Sequence, residues 1–339
     1  VAGTVVLFAV GLFATQVKGA GTPASPLGSD TAPALTATAA AALSRTAEPP
    51  QQPATPTVDP TSSVEPTPPI PAVFSGVAAQ KDVVALAKIG VRRSGGLNEH
   101  RAADYIAGRL RTMGYEPEVR TFKLPNGRTS RNVVARASGE STRVIVLGAH
   151  MDTKSPSPGA NDNASGCAAL LEIARNVADR PTYASVEFVF FGAEEMIDKN
   201  PDHHHYGSRR YVKSLSASQR KAVAAMISVD MIGRGSMLVS RTMGIGPKTL
   251  SNLLVRRAKA AGFKLSYLRD PSKVGWSDHE PFERIGIPVS WIEWRSDPYY
   301  HTTRDTAGRV IKARVQRAGQ LVLDFVLDAD EAMLAGLRK

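Results

Sequence analysis

Cysteine is all but missing from this chain: Cys167 stands alone among 339 residues, which excludes an internal disulfide framework and leaves the redox compartment undecided. Charge is absent from the start, where Val1–Ala14 reads VAGTVVLFAVGLFA and no ionisable side chain occurs before Lys18. Apolar surface then runs short. Residues 20–72 are dominated by Pro, Ala, Thr and Ser and hold 12 of the 23 prolines, a composition that cannot offset the entropy of ordering a core. The sequence has no internal repeat, and no nucleic-acid motif accompanies its scattered Lys and Arg, so no nucleic-acid partner is expected.

What remains is enough for a substantial core, at 42% apolar residues. The implied order is a signal peptide or membrane anchor over residues 1–19, a disordered, polyproline-like tether over 20–75, and a folded domain over 76–339. The leader's apolar run of about 14 to 17 residues is short of the ~20 of a spanning helix. Lys18 spoils the small-residue cleavage site at 18–20. An uncleaved anchor is preferred, with an extracellular or cell-surface location. Residues 1–72 carry two basic and four acidic side chains, so the net charge of +11 becomes +13 over the remainder. Two readings of that basic domain stay open, association with a membrane or anionic envelope surface and a merely soluble basic face, and the second is preferred. A monomer is expected.

Beyond residue 75, amphipathic stretches alternate with short β-branched runs. This is the pattern of a single α/β domain whose mostly parallel mixed central sheet is flanked by helices. Helices are expected over 82–91, 99–113, 165–178, 247–261, 279–285 and 306–327. Strands are expected over 132–137, 143–148, 186–191, within 222–231, and over 288–294. The run RVIVLG at 143–148 is nearly all apolar, which places it at the sheet centre.

Histidines and acids follow these buried strands, and in open α/β sheets ligands bind beyond the carboxyl ends of strands. In GAHMD at 148–152, alternation puts His150 and Asp152 on one side, so one can ligate and the other orient it. GANDNASG at 159–166 runs into a helix and holds Asp162 near its amino end, where a carboxylate is electrostatically favoured. Glu194 and Glu195 follow VEFVFF and diverge, so one can bind metal while its neighbour handles protons. Asp230 ends an apolar strand, and His301 lies within PYYHTTRDT.

Singly, each of these is more often a cap, a turn former or a satisfied loop residue. Five metal-type ligands at successive strand ends are not what capping requires. Five side chains also suit two cations better than one. With Asp162 as the bridge, one set is His150, Asp162 and Asp230, and the other is Asp162, Glu195 and His301. Two Zn²⁺ ions against three carboxylates leave one positive charge, which favours a deprotonated water near neutral pH.

The ordered motifs GAHMDT (148–153), GANDNASG (159–166), FGAEE (191–195), SVDMIG (228–233), SDHEPFERIGIP (277–288) and YYHTTRDT (299–306) resemble the dizinc exopeptidases that include bacterial leucyl aminopeptidase, aminopeptidase Y and glutamate carboxypeptidase. The resemblance spans roughly residues 80–330. It implies the zinc-dependent exopeptidase fold, two Zn²⁺ per chain on the five ligands above, and peptide or protein N-termini as substrate. It makes Asp152 the residue that orients His150, and Glu194 the general acid/base. An aminopeptidase is the main expectation. A glutaminyl cyclase or carboxypeptidase on the same scaffold, or an inactive envelope-tethered binding domain, are the alternatives. Cyclases of this scaffold use a single zinc and typically carry Trp before the last His, where this chain has Tyr300; every ligand and Glu194 are present, which disfavours the inactive domain.

One departure is the insertion MIDKNPDHHHY at 196–206. Its His203, His204 and His205 are expected in a solvated active-site loop, with a third metal site the less favoured reading. His279 is expected to support the start of a helix. Trp276, Tyr299, Tyr300 and Met196 are candidate walls of a substrate side-chain pocket, and Cys167 a small packed residue.

Overall fold

A computed structural model describes residues 72–200, 203–271 and 274–338. The leader expected over 1–19, and the tether as far as residue 71, lie outside the described residues. Phe74 is already fully buried and packs into the core.

One eight-stranded sheet organises the described residues. Its strands are β1 Glu118–Lys123, β2 Thr129–Ala137, β3 Val144–His150, β4 Ser185–Phe191, β5 Val223–Val229, β6 Met237–Thr242, β7 Ser266–Arg269 and β8 Val289–Arg295, in the order β1-β2-β4-β3-β5-β8-β6-β7. β3 pairs in parallel with both β4 and β5, and β5 pairs in parallel with β8. Antiparallel pairs occur at β1–β2, β2–β4 and β6–β8. Every residue of β3 and of β5 is buried. Strands covered on both faces read as continuous apolar runs, which is why RVIVLG marked the centre.

Along β3 the faces still alternate. Ile145, Leu147 and Ala149 belong to a core shared with α1 (Gly76–Lys88), α2 (Leu97–Thr112), α3 (Ser165–Val177), α6 (Thr249–Ala260) and α8 (Lys312–Leu327). Val144 and Val146 point the other way, into a smaller cluster with Tyr211 and Val212 of α4 (Tyr206–Ser214) and Phe282 of α7 (Glu280–Glu283). Two short helices, α5 (Ala217–Ala222) and α9 (Glu331–Gly336), complete the helices among the described residues, none of which is long and apolar enough to cross a membrane.

The long helix expected over 306–327 is broken. A single 3-10 turn at Ala307–Arg309 is followed by extended Val310 and Ile311 before α8 begins at Lys312. Ile311 donates its backbone N–H to the Gly233 carbonyl at 2.9 Å, a contact a continuous helix would forbid.

β4 and β5 lie on opposite sides of β3. Connections leaving the carboxyl ends of these neighbouring strands therefore diverge and open a crevice, the place where such sheets bind ligands.

Candidate metal centre

The expected ligands come from four connections above that crevice, with His150 and Asp162 at the two ends of the loop between β3 and α3. His150 is the last residue of β3, Asp162 lies in the turn before α3, Glu195 follows β4, Asp230 follows β5, and His301 sits in the loop between β8 and α8. All but His301 are buried.

Two triplets result, and Asp162 belongs to both. Its Oδ1 lies 3.2 Å from His150 Nε2, which is 3.4 Å from Asp230 Oδ1. Its Oδ2 lies 3.2 Å from His301 Nε2, which is 3.1 Å from Glu195 Oε1. Zinc holds nitrogen and oxygen at about 2.0–2.2 Å, so neighbouring ligand atoms on a tetrahedral ion stand about 3.3 Å apart. The histidine–carboxylate edges of both triplets match that spacing, and all three ligand atoms of each lie within 4.8 Å of one another. Asp230 Oδ1 is buried and has no hydrogen-bond partner, an acceptor that a cation would satisfy. The donor set thus fits two zinc ions in chemistry, spacing and charge.

Electrostatics point the same way. Burial alone would depress the His150 imidazole, but the carboxylates of Glu194 and Asp230 outweigh it and hold the ring well above its ordinary value. Burial also works against a charged His301, yet its contacts with Asp162 and Glu195 push it up to about 10. Glu195 is raised by burial and by the charge of Asp162. Glu194 is pushed up to about 7, chiefly by burial. Crowded carboxylates here draw in positive charge, as protons on histidine or as bound cations.

Several residues hold the ligands in place. Asp152 accepts backbone N–H bonds from Glu194 (3.0 Å) and Glu195 (3.1 Å) and the Ser94 hydroxyl (2.7 Å). Its Oδ1 stands 3.6 Å from His150 Nδ1, which lies closer to the Asp152 carbonyl, at 3.2 Å. Asp305 accepts the backbone N–H groups of Asn161 (2.7 Å) and Asp162 (3.1 Å). Ser277 donates to Asp230 Oδ2 at 2.8 Å. Buried Arg92 donates to the carbonyls of Met151 (2.7 Å), Pro158 (2.7 Å) and Gly159 (2.9 Å), clamping the loop between His150 and Asp162.

Ala193, His205, Met231, Ser296 and His301 are the non-glycine residues with left-handed backbone among the described residues. All five lie around this crevice. Such conformations cost about 1–3 kcal/mol each and concentrate at functional sites.

A cavity of about 460 Å³ opens over the triplets. Trp276, Tyr300 and Met196 line it, as the sequence led us to expect, and so do Trp291, Arg241 and Glu293, which the sequence did not single out. Tyr299 is not among the lining residues; its ring lies against the guanidinium groups of Arg309, Arg304 and Arg234, at 4.1, 4.6 and 4.7 Å. Arg241 stacks on Trp291 at 3.9 Å and donates to Glu293 (2.8 Å) and Asp270 (3.0 Å). Trp291 and Glu293 lie two apart on β8 and share a face, but only the pairing of β6 with β8 and with β7 brings Arg241 and Asp270 to them. Cys167 is buried and donates to the His150 carbonyl at 3.1 Å.

The solvated loop expected at 203–205 is corrected for two of its three histidines. His203 is partly exposed and pairs with Asp198 at 2.7 Å, but His204 and His205 are buried against the cavity floor. Their three-in-a-row signal was visible in the sequence, whereas the buried acid that draws them in, Glu280, lies 75 residues further on. His279 is fully buried at the start of α7 and stacks on Trp291.

A mostly parallel α/β sheet with two histidine–carboxylate triplets sharing one aspartate at its carboxyl end has the arrangement of a metallohydrolase's metal centre. The chain belongs to Peptidase family M28, whose model matches residues 132–326 and so contains all five ligands. It is 30% identical over 221 residues to aminopeptidase YwaD of Bacillus subtilis, a match covering 62% of this chain and 47% of that protein. The chain therefore spans about half the length of that curated relative. The fold is shared with BSAP, a zinc aminopeptidase from Bacillus subtilis, at a TM-score of 0.70 and 20% identity, covering 79% of this chain and 99% of the other. A glutaminyl cyclase of Bacteroides thetaiotaomicron shares it at a TM-score of 0.67 and 22% identity, over 76% and 99%.

Proposed function

We propose that this chain is a zinc-dependent aminopeptidase that binds two Zn²⁺ ions and hydrolyses the first peptide bond of peptides or proteins. The observation that carries the reading is the split of Asp162, whose two oxygens serve two complete ligand sets beside an additional carboxylate, Glu194. Zinc held there supplies Lewis-acid polarisation of a carbonyl and lowers the pKa of a water.

The protein's own residues do the rest. Glu194 Oε2 stands 3.9 Å from His150 Nε2 and so faces the centre, where it takes the proton of the attacking water and passes it to the leaving amine. Asp152 fixes the backbone on which Glu194 and Glu195 hang. The cavity's aromatic walls, Trp276, Trp291 and Tyr300, receive the first side chain and exclude water from it. Hydrolysis is favoured over glutaminyl cyclisation because the second triplet, with His150 and Asp230, is as complete as the first. Export belongs to the same proposal, supported by the uncharged apolar run at 1–14 and the proline-rich stretch after it; fractionating cells that express the chain tests it.

The decisive experiment compares the purified chain, with and without added zinc, on free aminoacyl, N-acetylated aminoacyl and amino-terminal glutaminyl peptides. Zinc-dependent release of the first residue from free peptides is expected. Cleavage of blocked peptides only, or ring closure of the glutaminyl peptide, overturns the reading.

A further inference from the structure

We propose that His205 is the positioning residue of Glu194: its Nε2 stands against Glu194 Oε1 as an ion pair, its ring is held from behind by Glu280, and Oε2 is thereby left as the proton-handling oxygen. This rests on the reading of Glu194 as general acid/base.

The contacts form a closed chain. His205 Nε2 is 2.9 Å from Glu194 Oε1, and His205 Nδ1 is 2.7 Å from Glu280 Oε2. With a carboxylate at each end, both ring nitrogens carry a proton. Glu280 is anchored in turn by Arg284, whose Nε donates to Oε1 at 2.8 Å. The backbones of the two segments are also tied, through His205 N–H to the Glu194 carbonyl and Tyr206 N–H to the Ala193 carbonyl, both at 2.8 Å. Ala193 and His205 both adopt left-handed backbone, at φ 51° and 54°, so each segment turns sharply where they meet.

The same geometry argues against a third cation among His204, His205 and Glu280. The two imidazole rings lie 3.7 Å apart, and His204 Nδ1 approaches His205 Nε2 at 3.0 Å, as an acceptor of that N–H. Both His205 nitrogens are already committed, Nδ1 to Glu280 and Nε2 to His204 Nδ1 with Glu194 Oε1 beside it as an ion-pair partner. His204 packs the ring in place from the cavity side, with Trp276 beyond it at 6.3 Å.

A buried carboxylate beside two cations would otherwise swing towards them and become one more ligand. The ion pair with His205 holds one oxygen back. Residues that orient a metal site's working groups typically matter at about the 10–100-fold level.

The test uses the full zinc-loaded chain, leucine p-nitroanilide as substrate, and the variants His205→Phe, His205→Gln, Glu194→Gln and the double variant His205→Phe/Glu194→Gln. His205→Phe is expected to lose about 10–100-fold in kcat with KM changed less than about threefold, while keeping two zinc ions per chain. His205→Gln, whose amide can still donate towards Oε1, recovers a clear part of the loss. In the Glu194→Gln background, His205→Phe has almost no further effect on kcat, because the group it acts through is already gone. A downfield imidazole N–H proton resonance, lost in His205→Phe and shifted in Glu194→Gln, reads the contact without turnover. If His205→Phe fails to fold, His205→Asn, which tolerates left-handed backbone but cannot reach Oε1, takes its place. Wild-type kcat in the donor-less variant, or an equal loss in both backgrounds, overturns the proposal while leaving Glu194's role intact. Full turnover in zinc-loaded Glu194→Gln removes the premise itself, and the proposal with it.

Discussion

Glu194 and Glu195 are adjacent in sequence and opposite in task. Glu195 Oε1 meets His301, while Glu194 turns one oxygen to His205 and the other towards His150. Glu194→Gln is isosteric and leaves the ligand set whole, so both metals should stay and kcat should fall by about 10²–10⁴; metal analysis beside steady-state kinetics checks this. Glu195→Gln should instead lose metal from the His301 side. The clustering of the five candidate ligands was legible because they lie at or beyond the carboxyl ends of buried strands, where strand-end position limits what a side chain can face. The roles of Arg92 and Arg241, and the burial of His205, were not legible. Arg92 clamps carbonyls 59 to 67 residues away, Arg241 pairs with acids 29 and 52 residues away, and the Glu280 behind His205 lies 75 residues on, distances that only folding closes.

Elements that the sequence foretold are those with a one-sided or wholly apolar pattern, such as α3 and the buried strands β3, β4 and β5. Those it missed lack such a pattern. β1 is half exposed throughout and β7 has four residues with none buried, so both depend on pairing with a neighbour for their existence. The loop from Met151 to Gly159 has no helix or strand, and Arg92 substitutes for one by capping three of its carbonyls. Arg92→Met keeps most of the bulk and orphans those acceptors. A loss of about 3 kcal/mol is expected, seen as a fall of roughly 6–12 °C in Tm for a domain of this size, with weaker zinc retention because both His150 and Asp162 border the loop. An unchanged Tm would refute the clamp.

For the molecule as a whole, the crevice is a store of negative charge enclosed by a neutral core. Without cations, Asp162, Glu194, Glu195 and Asp230 face one another across a few ångströms, and protonated histidines are the counter-charge within reach. Chelation should therefore lower Tm as well as silence turnover, and zinc at 1,000 times its Kd should restore about 4 kcal/mol. Differential scanning fluorimetry with a chelator, then with zinc returned, measures it; identical melting with and without metal would count against a native zinc centre.

Asp162 has one further consequence. Because its two oxygens belong to different triplets, the two zinc ions proposed above would not load as strangers. An ion in either triplet fixes the carboxylate plane for the other and brings a second positive charge within a few ångströms, so order of filling is built into one side chain. Zinc titration should show two unequal steps in the parent chain, a single step after Asp230→Asn, and neither after Asp162→Ala: the shared aspartate makes metal uptake a sequence rather than a sum.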